Sequence, residues 1–141
     1  MLPAKLILYP MAVMVLLTFV VMAILPFVRF MAVKAGKSKP KDYLYGDSSS
    51  EKSLAKLVGR NYTNLFEAPT LFYVLCLLIF ETGLLDQITL RLAWAFVGFR
   101  LAHSLVHIIF NRLLMRMTIF IISVLVLMGM WAYYLWLIIG H

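Results

Sequence analysis

The chain has 141 residues, of which 64% are hydrophobic and 13% charged, and its mean hydropathy is +0.96. A water-soluble domain needs more polar surface than that, so the composition describes an integral membrane protein. The formal net charge of +7 does not point to nucleic acid, because the Lys and Arg residues gather beside apolar runs instead of alternating with aromatics on a polar face.

A chain of this length holds about four spans of roughly 20 to 25 residues. The expected fold is all-α: one four-span transmembrane domain, with spans near 6–33, 52–80, 88–110 and 113–139. Span one follows Lys5. Its apolar run, Leu6 to Val28, is longer than the roughly 7 to 15 residues of a signal-peptide core, and no small-x-small cleavage site follows, so it reads as a retained helix. Pro26 cannot donate to the carbonyl of Met22, and a bend is expected there. The polar break "KAGKSKPKDYLYGDSSS" comes next.

Span two is expected to be capped by one of Ser48 to Ser50, with Glu51 to Ser53 in its first turn. It stops at "ETGLLDQ". Cys76, the single cysteine, excludes an intrachain disulfide and reads as a small buried apolar residue. Span three carries Arg100, His103 and His107, with Ser104 beside them. Span four starts between Arg112 and Arg116. Arg29, Lys34, Lys37, Lys39, Lys41, Lys52, Lys56 and Arg60 flank the first connection, and Arg112 and Arg116 the third; the opposite side holds only Lys5 and Arg91. This asymmetry puts connections one and three in the cytoplasm and both termini on the other side, where Trp94, Trp131, Tyr133, Tyr134 and Trp136 would form an interfacial belt.

Spans two and three each carry a polar stripe. "RNYTNLFEAP" sets Arg60, Asn64 and Glu67 at helical spacing, followed by Pro69. Counting about 1.5 Å per residue, Glu67 and Arg100 both lie about 16 Å inside the membrane. A lone charge there costs at least about 2.5–3.5 kcal/mol, so the two are expected to pair. Pro69 leaves the carbonyl of Leu65 without its helical donor, and a kink or polar site is expected. The stripes run to a mouth that also receives Arg29, Arg60, Arg112 and Arg116. That surplus of positive charge suits an anionic ligand. His103 and His107 are four apart, but with no second cysteine, no HExxH pattern and no adjacent acid, no metal is expected.

The joint order of these features resembles the MAPEG family, membrane-associated proteins in eicosanoid and glutathione metabolism. The resemblance rests on Arg60, Asn64, Glu67 and Pro69 in span two, Arg100 and His103 in "GFRLAH", Arg112 and Arg116 in "NRLLMRMTIF", and Arg29 in "PFVRF". It implies a homotrimer of four-helix bundles that binds glutathione in a cytoplasm-facing cleft between subunits. Arg116 would be the catalytic residue, stabilising the thiolate against a small lipophilic substrate arriving from membrane lipids. Arg29, Arg60, Asn64, Glu67, Arg100, His103, His107 and Arg112 would form the binding set. Thr63, Met117 and Phe120 depart from the family's glutathione-binding pattern. Two other readings therefore stand beside a glutathione transferase or peroxidase: a non-catalytic lipid-binding or scaffold protein, and a proton or ion pathway through Glu67, Arg100, His103 and His107.

Overall fold

The computed structural model describes residues 1–43, 54–110 and 112–140, and among them it is entirely helical. The cap expected at Ser48 to Ser50 and the first turn at Glu51 to Ser53 lie outside the described residues. Four stretches are long and apolar enough to cross a membrane: Ala4–Lys34, Leu54–Thr82, Gln87–Phe110 and Leu113–Ile139. The protein is thus an all-α, multi-pass membrane bundle.

Helix α1 (Leu8–Lys34) is led in by a tight turn over Ala4–Ile7. Pro10 sits in its first turn, where a missing N–H has no intrahelical partner to lose. The helix is uninterrupted at Pro26, which is exposed. Gly36, at φ +69°, adopts the left-handed backbone that follows the helix end.

The second span is two helices. Helix α2 (Leu54–Asn64) ends in mid-sequence, and helix α3 (Ala68–Thr82) begins with Pro69 in its first turn. Pro69 therefore starts a helix instead of kinking one, the position where proline is best tolerated. Gly83, at φ +71°, closes α3, its N–H donating to the carbonyl of Ile79 at 3.0 Å.

Helix α4 (Gln87–Leu105) is capped by Asp86, which accepts from the Thr89 N–H at 2.8 Å. The other oxygen of Asp86 accepts from the hydroxyl of Tyr133 on α5 (Leu113–Ile139), and the Leu2 N–H donates to the Leu85 carbonyl at 2.7 Å. The N-terminus, the α3–α4 turn and the last helix are tied at one end of the bundle. Burial alone would raise the pKa of Asp86, but the bonds from Tyr133 and Thr89 outweigh it and hold the carboxyl below its ordinary value. Between α4 and α5, Val106–Phe110 widens into a π-turn.

Phe72 and Phe96, both fully buried, stack at 4.6 Å between α3 and α4. Met14, Leu75, Ile79 and Met130 complete that layer. Lipid tails are as apolar as these side chains, so close van der Waals packing holds such helices together, not the exclusion of water.

Candidate functional site

The break between α2 and α3 builds the site. In a continuous helix the Asn64 carbonyl would accept from the N–H of Ala68, and Leu65 would accept from residue 69. Proline at 69 supplies no N–H, and Leu65 to Glu67 leave the helical path. The turn is held by the Leu65 N–H on the carbonyls of Asn61 and Tyr62, and by the Phe66 N–H on Thr63, all near 3 Å. The Asn64 carbonyl is left pointing out of the helix. Arg100 reaches across from α4 and donates to it from Nη2.

This corrects the pairing expected from depth. Arg100 bonds to the backbone of Asn64 and not to the carboxylate of Glu67. Spacing of three residues puts Asn64 and Glu67 on one face only while the helix continues. Because it stops, Glu67 becomes the residue before α3 and is exposed, though still within electrostatic reach of Arg100. The Leu65 carbonyl loses its helical donor to Pro69 as expected, but the carbonyl that Arg100 takes is that of Asn64, one residue before it.

Arg100 is fully buried. Its guanidinium lies 5.6 Å from the centre of the Phe120 ring on α5, a cation–π contact, while Nε and Nη1 have no partner among the described residues. One turn on, His103 also faces Phe120, with ring centres 5.6 Å apart. Its Nδ1 lies 3.2 Å from the carbonyl of Arg116. A carbonyl only accepts, so in this contact Nδ1 carries the proton. His107, in the π-turn, meets His103 edge-on at 5.6 Å. Arg60 and Arg116 both lie within electrostatic reach of it. Between α2 and α4, the Ser104 hydroxyl donates to Asn61 Oδ1 at 3.2 Å, both side chains being buried.

Beside them lies an open cavity of about 360 Å³, lined by Asn64, His103, Arg116, Met117, Phe120 and Ile121. Three expected site residues therefore meet in one space: Asn64 from the end of α2, His103 from α4 and Arg116 from α5. Arg100 stands directly behind it. Arg112 caps α5 and is exposed outside the lining, so Arg116 is the span-four arginine that faces the cavity. Arg29 lies elsewhere, over the Tyr43 ring at 5.1 Å and against Gly59 of α2. Arg60 and Glu67 are exposed on the same broken span. Among the described residues no three His, Cys, Asp or Glu side chains gather closely enough to hold a metal ion.

The sequence reading of the site missed Asn61 and took Phe120 only as a departure from the family's glutathione-binding pattern. Asn61 lies three before Asn64 on the same stripe, and that spacing was a usable signal. Phe120 offers no polar signal, yet its ring contacts both Arg100 and His103.

The family model of the MAPEG family matches residues 7–136, which takes in α1 to α4, all but the last three residues of α5, and all of these site residues. The chain belongs to the MAPEG family. At that level it is a membrane protein of the group associated with eicosanoid and glutathione metabolism. No curated protein and no solved structure matches it. In this MAPEG protein Asn64, His103 and Arg116 converge on the cavity, while Met117, Phe120 and Ile121 form its non-polar side.

Proposed function

We propose that the chain is a glutathione-dependent transferase or peroxidase-like enzyme acting on lipophilic electrophiles. The observation that carries this reading is the cavity itself, where the Arg116 side chain and the Asn64 and His103 side chains share a space with Met117, Phe120 and Ile121. One side suits the polar tripeptide and the other a lipophilic acceptor. Arg116 is the catalytic residue: its guanidinium favours the thiolate over the thiol and so raises the fraction of nucleophile at neutral pH. The S–H proton passes to water. The thiolate sulfur then forms a carbon–sulfur bond with the electrophile, and the leaving group departs with its electron pair.

His107, buried in the π-turn, stands behind His103, and Arg29, Arg60, Glu67 and Arg112 enter this reading as outer parts of the anion-binding region. They become part of one site if a second copy of the chain packs against the broken span, in a homotrimer. The sidedness in this reading follows the Lys and Arg asymmetry, with connections one and three cytoplasmic. A second reading, a non-catalytic lipid-binding or scaffold protein, is favoured by one observation: Met117, Phe120 and Ile121 give half the lining no hydrogen-bond donor.

Calorimetry of the purified protein with glutathione tests the choice, with Arg116→Ala and Asn64→Ala as controls. Saturable binding, and conjugation of an activated aromatic electrophile that Arg116→Ala loses, are the expected results. No saturable binding at millimolar glutathione would sink the enzyme reading and leave the lipid-binding one.

A further inference from the structure

Arg100 has the features of a ligand-binding residue in sequence: it is a cation at membrane depth, one turn before His103. The geometry points elsewhere. We propose that Arg100 is a positioning residue that clamps the two walls of the cavity together and does not itself hold the ligand.

Three observations carry this. Arg100 is fully buried and does not line the cavity, whereas both groups it touches, Asn64 and Phe120, do. Its bond goes to backbone: the Asn64 carbonyl, freed where α2 breaks off. It thereby fixes the end of a helix that has no covalent continuation in the helical path. Its guanidinium carbon also lies over the Phe120 ring, 5.6 Å from its centre, so the same group bridges α2 and α5. The remaining nitrogens, Nε and Nη1, meet no acceptor among the described residues, and Glu67 acts on the group only at a distance.

Only arginine does both at once. A lysine ammonium keeps the charge but has no planar fork to engage a carbonyl edge-on while lying over a ring. The clamp therefore separates charge from shape. If Arg100 acted on an anion by its charge, lysine would preserve most of the effect. If it acts by holding Asn64 and Phe120 in place, lysine fails as badly as an uncharged side chain.

The binding half of this test rests on the glutathione reading above; a second measurement does not. Arg100→Lys and Arg100→Met are each expected to weaken glutathione binding about tenfold, the loss of one charge-assisted hydrogen bond. Turnover at saturating glutathione should stay near wild type, because Arg116 is intact. Wild-type affinity in Arg100→Lys would overturn the proposal, and so would a fall in turnover with affinity unchanged. Phe120→Leu leaves the backbone bond and removes the ring, and should weaken binding about threefold. It carries the test if the Arg100 variants do not fold. Should the wild-type protein bind no glutathione, that reading falls while the clamp is still judged by amide hydrogen exchange at residues 64–68. Faster exchange there in Arg100→Lys (in Phe120→Leu, if that variant carries the test) than in wild type supports it, and unchanged exchange overturns it.

Discussion

The hydrogen bond from Ser104 to Asn61 offers a sharp test of how the broken span is seated on α4. Both side chains are buried, and the Asn61 Nδ2 has no partner among the described residues. Ser104→Ala removes the bond and leaves both polar atoms of Asn61 unsatisfied. A side-chain bond between membrane helices is worth about 0.6 kcal/mol, and an orphaned polar group adds to that, so a loss of about 1 kcal/mol is expected. Asn61→Leu keeps the branched outline but removes both unsatisfied atoms. The Ser104 hydroxyl can then turn back to a carbonyl of its own helix. The double variant should therefore lie close to wild type, better than Ser104→Ala alone by about 1 kcal/mol. Reversible unfolding in a fixed detergent mixture, followed by tryptophan fluorescence, measures all four corners of the cycle. Additive losses in the double variant would refute the reasoning, because they would mean Asn61 does more than receive this bond.

Further outcomes follow from the same structure. Arg116→Ala should raise the pH at which glutathione becomes nucleophilic by about one unit or more, read from the pH profile of conjugation. The Asp86 carboxyl has a lowered pKa in the folded chain, so its contribution to stability is complete above about pH 4, the ordinary carboxyl value, and is lost as pH falls below it. Melting temperature in detergent should therefore drop on acidification, and less steeply in Asp86→Asn. Phe72→Ala opens a void against Phe96 and should destabilise by about 3 kcal/mol, the cavity cost being present in lipid as in water. Cysteines introduced at Ser38 and Gly140, in a Cys76→Ala background, should react with an impermeant reagent from opposite sides of the membrane. Labelling from the same side would reverse the charge-based topology.

Much of this fold was legible because a membrane span announces itself by length and hydropathy, and the Lys and Arg residues mark its flanks. The polar stripes were legible too: helical spacing placed Asn64 and His103 in one region, and the cavity contains both. What failed was the assumption that span two is one helix. Proline at 69 was read as a kink, yet the same residue is well suited to starting a helix, and sequence spacing does not separate the two outcomes. From that one ambiguity came the wrong partner for Arg100, since a backbone carbonyl released by a break leaves no side-chain pattern. The role of Phe120 was hidden for a related reason. An aromatic ring in an apolar span looks like any other until the cation above it is known.

The division of span two also bears on how the chain enters a membrane. Helix α2 has 11 residues and carries Lys56, Arg60, Asn61 and Asn64; at about 1.5 Å per residue it reaches roughly half the depth of a bilayer core. Lipid alone has little reason to accept it. Helix α3, with 15 mostly apolar residues, is the half that partitions by itself. The polar half is accommodated by α1, by the π-turn and by the bonds from Ser104 and Arg100. This predicts an order of assembly in which α3 and its neighbours insert first, and α2 is drawn in as α1 and α4 close on it. A lesion in Ser104 or Arg100 would then appear as a biogenesis defect, with the segment before the break left accessible at the surface while the rest of the protein is inserted.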